Sequence, residues 1–550
     1  LKNKLIFKFI ALSLPLILIF ILELILGIFN YGENYNLFNK ITSENNTEYL
    51  VMNSGISKKY FKNTGFNSDN QSDLFLREKT ENTFRVFIQG ASTVVGFPFY
   101  KNGSFPRILK HRLSLTFPDK NIEIINTGIT AVNSYTLWDL SDKIIAQKPD
   151  LVIIYAGHNE YYGALGVGSS ISIGNYPAIV RSYLKLKNFR FFQLFENGYS
   201  KVFKPNEKSK YTVKETTLME VMAKEQQIPY NSDVYNAGIN QFKSNINKAL
   251  DKYASNNIPV ILSTVISNKK DIKPFISDDF NENKFDKNLK SNKSEAFKTA
   301  NSNAKAAYKM GQFYLNKQQD SAKKYFHLAK ELDMLRFRAP EKVNDIIINE
   351  LSKKQGVYLL DSRKAMQKKS KSGFIDNDVL TEHVHPNVKG NFILADAFYN
   401  KIKEIKILDN WNHFISYDEA FNDISITRID SIKGKFIVQD LKNSWPYKLN
   451  MSGTNPIAQY NYILKPTYEE KKAINLYAGR EEWQNVMREA YHTYNNNKDY
   501  KNALKVAQSL ISEFPEQTKV YEMAREICLK MNNRDYANYY SKKINQLKQK

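Results

Sequence analysis

FRVFIQGASTVVGFP, residues 84–98, decides how the rest of the chain is read. Phe84, Val86, Phe87 and Ile88 make a short, nearly continuous run of bulky residues that ends in the small-residue turn Gly90-Ala91-Ser92-Thr93. Runs of this kind are strands buried on both faces, as in parallel sheets. Four more follow: IEIIN at 122–126, LVIIY at 151–155, PVILSTV at 259–265 and VYLL at 357–360. Segments long enough for helices lie between them, for example 105–117 and 134–147. The alternation predicts an α/β fold with a doubly wound parallel sheet. Such sheets carry their sites past the carboxyl ends of the strands.

Three polar blocks carry candidate chemistry, two just past such strand ends and the third in a loop near the end of the α/β region. GAST brings Ser92, GHNE at 157–160 brings Asn159, and EHVHPN at 382–387 brings Glu382 and His385. A serine hydroxyl becomes a nucleophile when a base takes its proton during attack. An imidazole suits that task, and a carboxylate can fix its tautomer and balance the imidazolium. Ser92 is thus the candidate nucleophile, His385 the base and Glu382 the orienting carboxylate. The tetrahedral oxyanion needs N–H donors, for which the Ser92 and Gly128 backbone and the Asn159 amide are the candidates. Ser92, Gly128 and Asn159 fall just past the ends of the first three expected strands.

These blocks resemble those of the SGNH (GDSL-like) hydrolase family, named for Ser, Gly, Asn and His in four blocks. GAS at Ser92 is similar to the first, with Ala91 replacing the usual Asp; NTGITAVNS at Gly128 is similar to the second and GHNE at Asn159 to the third. EHVHPN at His385 is similar to the last, with Glu382 where the family usually has Asp. The resemblance covers roughly residues 84–402 and implies a flavodoxin-like sheet and acyl-ester chemistry without a cofactor. HNEYYGALGVGS at 158–169, TTLMEVMAKEQQIPY at 216–230 and LDMLRFRAPEKVNDII at 332–347 resemble a membrane-anchored subgroup that adds tetratricopeptide-like helices.

The 550 residues exceed one domain. The net charge of +23 is carried by dispersed lysines with no accompanying nucleic-acid motif, so no nucleic-acid partner is expected. One cysteine, Cys528, excludes an intrachain disulfide framework. FIALSLPLILIFILELILGIF at 9–29 holds one charge, Glu23, and is long enough to span a bilayer. Lys2, Lys4 and Lys8 precede it, which places the N-terminus in the cytoplasm and the rest outside. No small-x-small cleavage site follows, so an uncleaved single-pass anchor over 1–30 is expected. Residues 31–80 read as a tether, 81–402 as the hydrolase-like domain with a helical insert at about 296–345, 403–480 as a connection containing a strand-like KGKFIVQ, and 481–550 as repeat-like helices. The repeats would dock on the domain or bind a protein partner. The basic and aromatic run YLKLKNFRFFQLF at 183–195 reads as a helix packed on the domain or in contact with a membrane.

Arg336 and Arg338 in LRFRAP form a candidate pair for an acidic group of the substrate, the alternative being a brace for the insert. A zinc site from His158, His383, His385 and Glu160 is disfavoured because no single helix presents them, so no metal is expected. A dinucleotide reading lacks a full G-x-G-x-x-G. The function expected is an esterase acting on an O-acyl ester, with a cell-envelope glycan as the candidate carrier. An O-acyltransferase with the same triad and a non-catalytic envelope scaffold are the rivals.

Overall fold

The five apolar runs form one parallel sheet. The computed structural model describes residues 2–43, 46–61, 73–203, 218–448 and 465–548. Strands β1 (Phe38–Thr42), β2 (Glu48–Met52) and β3 (Phe75–Leu76) make a small antiparallel sheet. Strands β4 (Thr83–Gly90), β5 (Asn121–Asn126), β6 (Leu151–Tyr155), β7 (Val260–Ser263) and β8 (Val357–Leu360) make the large one, in the order β5-β4-β6-β7-β8. All of its pairings are parallel. The chain leaves β4 to one side and returns past it to β6, so the strand order reverses between β4 and β6. In open α/β sheets the crevice at that reversal is where sites form.

Every position of β4, β6 and β7 is buried, as nearly continuous apolar runs require. Arg85 is the one charged residue in these three strands. Its Nε donates to Glu123 Oε2 on β5 (2.6 Å), one terminal nitrogen to Leu76 O (2.6 Å) and the other to Gln147 O (2.9 Å). This buried pair locks the small sheet to the large one. Removing one partner of such a pair costs about 3–5 kcal/mol, because it strands the other charge. The helices Phe105–Thr116 and Val388–Glu404 pack together, as do Ser134–Ile145 and Asp233–Ser255.

Three expectations change. Residues 31–80 are not a mere tether. β1 and β2 pair with Phe38 opposite Met52, and Leu37, Ile56, Tyr60, Phe61 and Phe75 enter the main core. Residues 44–45 and 62–72 of that segment lie outside the described residues. KGKFIVQ is helical, within Arg428–Lys442, because Thr427 caps the turn at Asp430 N and Ile429, Ile432 and Phe436 recur at helical spacing. That period overrides the β-branched run. The C-terminal helical unit consequently starts at Arg428 rather than at 481. Its core joins Ile429 and Phe436 to Tyr468–Tyr477 and to the four helices between Trp483 and Lys548. It docks on the α/β unit through Lys101 with Glu513 (2.8 Å) and Arg107 with Ser512 O (2.6 Å).

The insert carries the helix pair Ala304–Tyr314 and Gln319–Leu332. The stretch after the Asn159 block forms helices Pro177–Leu186, Arg190–Phe203 and Leu218–Met222; residues 204–217, with the start of TTLMEVM, lie outside the described residues. The N-terminal helix runs Lys2–Ile28, and Phe7–Ile28 has a mean hydropathy of 2.8, long and apolar enough to cross a membrane.

Candidate active site

The serine turn is shaped by two glycines. A Cβ on Gly90 would lie 2.3 Å from Tyr155 O on β6, so only glycine lets the end of β4 run this close to its neighbour. Gly96, at φ +98°, closes the single helical turn Ser92–Val95. The N–H groups of Ser92 and Thr93 open that turn and have no intrahelical acceptor.

The last block is held as rigidly. Thr381 N–H and hydroxyl both donate to His385 O (2.8 and 3.0 Å), and Asn387 N–H donates to Val379 O (3.0 Å). Asn387 also caps the helix Val388–Glu404 through Gly390 N–H. The resulting tight loop carries Glu382 and His385 on one side. His385 Nε2 is 2.7 Å from Ser92 Oγ, and His385 Nδ1 is 2.5 Å from Glu382 Oε1. The structure thus brings Ser92, His385 and Glu382 into one hydrogen-bonded chain from residues 293 positions apart. Phe97 lies against the imidazole, with ring centroids 4.6 Å apart.

Glu382 is fully buried, and its charge is met by more than the imidazole. Oε1 also accepts the His385 N–H (2.7 Å), while Oε2 accepts the His383 N–H (2.7 Å) and the Tyr447 hydroxyl (2.7 Å). The same hydroxyl is 2.6 Å from His383 Nδ1. Tyr447 escaped the reading of the sequence: it lies 65 residues beyond Glu382, in a segment with no motif. Burial pushes the His385 imidazole down to about 3 and holds His383 well below its usual value. The Glu382 carboxylate acts in the opposite direction on His385.

Asn159 follows β6, beside the serine turn that follows β4. Its side-chain amide is half-buried and has no hydrogen-bond partner among the described residues. Its neighbour His158 accepts the Ala339 N–H at Nδ1 (3.2 Å) and is pushed by burial down to about 3, hence neutral. Glu160 accepts from Ser134 N–H, Ser134 hydroxyl and Gln241 (2.8 Å each), joining the block to two helices. Both of its oxygens are taken in this way, apart from any histidine cluster. The atoms of His327, Glu331 and Glu341 lie within 4.8 Å of one another, but Lys330 pairs with both carboxylates and Lys269 and Arg363 with Glu341.

Gly128 departs from its expected role. Its N–H donates to Asn126 Oδ1 (2.9 Å), while Asn126 Nδ2 donates to Val94 O (2.6 Å). The side chain of Asn126 closes a local turn and staples it to the serine turn, so the Gly128 donor is committed. Arg336 and Arg338 are corrected as well. Both are buried. Arg336 donates to Ile228 O (2.9 Å) and Glu331 O (2.6 Å), and Arg338 to Asp333 (2.8 Å), Asn268 O and Ile272 O. They brace the insert from inside, where no substrate group can reach them.

No family model matches this chain, and no curated protein does. Sixteen chains of solved structures match. An acetylxylan esterase from Geobacillus stearothermophilus is similar over 61% of this chain and 98% of its own, at 14% identity and a TM-score of 0.28. A lipolytic protein of the G-D-S-L family from Desulfitobacterium hafniense is similar over 58% and 98%, at 13% identity and a TM-score of 0.25. An alpha/beta hydrolase from the metagenome of Lake Arreo is similar over 60% and 97%, at 11% identity and a TM-score of 0.28.

Proposed function

We propose that this chain is a serine esterase of SGNH type, anchored by its N-terminal helix with the α/β unit outside the cytoplasmic membrane. The observation that carries the reading is the continuous chain from Glu382 Oε1 through His385 to Ser92 Oγ, at 2.5 and 2.7 Å. As Ser92 Oγ attacks the ester carbonyl, His385 Nε2 takes its proton, and the ester oxygen leaves with that proton as the alcohol. A water then enters and attacks the acyl group as it loses a proton to His385, and His385 returns that proton to Ser92 Oγ as the acid leaves. Glu382 holds Nδ1 protonated and balances the imidazolium in both halves. The Ser92 N–H and the Asn159 amide receive the oxyanion. An O-acyl ester on a cell-envelope glycan is the substrate class that suits a site held outside the membrane. The direct test is hydrolysis of an aryl acetate by the full chain in detergent, with acid release followed by titration; a folded protein without turnover opposes the reading.

Asn159→Ala is expected to lower kcat roughly 10²- to 10³-fold with KM little changed, since the amide is matched to the oxyanion rather than to the ground state. An equal rise in KM with kcat unchanged would assign Asn159 to substrate binding instead.

The pH profile follows from the burial of His385. The base works only as neutral imidazole. A lowered pKa keeps it neutral to lower pH, so the acid limb of kcat/KM lies below the ordinary imidazole value of about 6.5. Tyr447 sets how far below. Its hydroxyl disperses the Glu382 charge, so Tyr447→Phe leaves the carboxylate a stronger partner for imidazolium and moves the acid limb to higher pH. A limb that stays in place while kcat falls at every pH would make Tyr447 a packing residue only.

A further inference from the structure

We propose that the two helices Pro177–Leu186 and Arg190–Phe203 form an interfacial hairpin that lies on the bilayer surface beside the N-terminal helix, presenting an apolar stripe to lipid. The proposal rests on the membrane-anchored reading given above and extends it to a second, peripheral contact.

The first observation is a junction. Glu23, the one charge in the apolar run, accepts hydrogen bonds from the N–H groups of Arg190 and Phe191 (2.9 Å each). A lone carboxylate in such a segment demands a partner, and the free N–H groups of a helix start supply one. Arg190 also donates to Tyr31 O, Gln193 exchanges bonds with Glu33 (2.8 and 3.1 Å), and Asn197 donates to the Tyr31 hydroxyl (2.9 Å). The helix Arg190–Phe203 is therefore fastened, along the face of Arg190, Gln193 and Asn197, to the segment where the N-terminal helix ends.

The second observation is the opposite face. Phe195, Tyr199 and Val202 recur at i, i+4 and i+7, are 68%, 59% and 69% exposed, and project roughly half a turn away from the fastened side. The helix Pro177–Leu186 repeats the arrangement. It buries Val180, Arg181 and Leu184 on the domain and leaves Ile179 and Leu186 exposed, with Phe189 in the turn that follows. Exposed Lys185 and Lys201 accompany the stripe, as suits anionic headgroups.

The depth agrees. Glu23 lies five residues before Ile28, the last residue of the N-terminal helix. At 1.5 Å per residue that is about 7.5 Å along its axis. An amphipathic interfacial helix buries its apolar face about 5–10 Å into the headgroup and acyl boundary. The second helix of the hairpin begins at the level where a membrane's surface would meet the anchor, and one occupant, the bilayer, covers both the anchor and the stripe.

The test uses the full chain in vesicles of mixed phosphatidylcholine and phosphatidylglycerol. An environment-sensitive fluorophore is attached to single cysteines introduced as Leu16→Cys, Phe195→Cys, Tyr199→Cys and Lys364→Cys; Cys528 is buried and stays unlabelled. Quenching by lipids with brominated acyl chains is then read at each. The expected result is loss of emission at 16, 195 and 199 and none at 364. Loss at 16 with 195 and 199 as unaffected as 364 would overturn the hairpin and leave the anchor standing. No loss at 16 would overturn the anchored reading and the hairpin with it.

Discussion

Ser92→Ala lowers kcat for a short aryl ester roughly 10⁴- to 10⁶-fold, His385→Ala does the same, and the double variant is no slower than either alone. The non-additivity is the informative part. Ser92 Oγ has His385 Nε2 as its partner at 2.7 Å, so an imidazole without the hydroxyl has nothing to deprotonate, and a hydroxyl without the imidazole stays a poor nucleophile. Residual turnover comes from the oxyanion donors, which both changes leave in place. The measurement is steady-state kinetics on all three variants, with thermal unfolding as the control. Ser92→Ala removes one partly buried hydrogen bond, about 1 kcal/mol, too little to unfold the domain. Losses that multiply in the double variant would mean that the two side chains act independently, and the proposed triad would be wrong.

Glu382→Gln is expected to lower kcat roughly 10⁴-fold while leaving the fold intact. An amide facing His385 presents N–H to Nδ1. The ring proton then moves to Nε2, which donates to Ser92 Oγ instead of accepting from it. Facing His385, the amide N–H groups also meet the backbone N–H of His385, which donates to Oε1; turned the other way, they meet the His383 N–H and the Tyr447 hydroxyl, both of which donate to Oε2. Each clash of donors costs about 1–3 kcal/mol, and the side that opposes one donor is preferred to the side that opposes two, so the amide settles toward His385 and the base is lost. Kinetics beside thermal unfolding separate the two effects. Turnover near that of the unaltered protein would show that the carboxylate does not orient the imidazole.

The sheet was legible because its strands are buried on both faces: FRVFIQ and LVIIY carry no polar alternation to confuse the reading, and their ends fall within a residue or two of the observed strands. Local blocks likewise pointed to Ser92 and the Glu382 and His385 pair, which the structure joins by hydrogen bonds, because each combines a chemical residue with a turn at a strand's carboxyl end or at the start of a helix. What stayed hidden depends on partners distant in sequence. The Arg336 and Arg338 spacing fits an anion clamp as well as a brace, and only Asp333 and the carbonyls of Ile228, Asn268 and Ile272 decide for the brace. Gly128 looked like a free donor because the side chain two residues before it, Asn126, gives no sign of where it will turn. KGKFIVQ shows β-branched residues locally, and its helical face emerges only against the C-terminal core. Tyr447 had no local signal at all.

The most direct test of the central claim is covalent labelling by a fluorophosphonate, followed by peptide mass spectrometry. The probe's phosphorus takes the place of the ester carbonyl and forms a stable bond with an activated serine oxygen as fluoride leaves. The account predicts one adduct, on Ser92, formed rapidly in the full chain, absent in Ser92→Ala and greatly slowed in His385→Ala. A folded protein that gains no adduct at Ser92, or that labels as fast without His385 as with it, would contradict it.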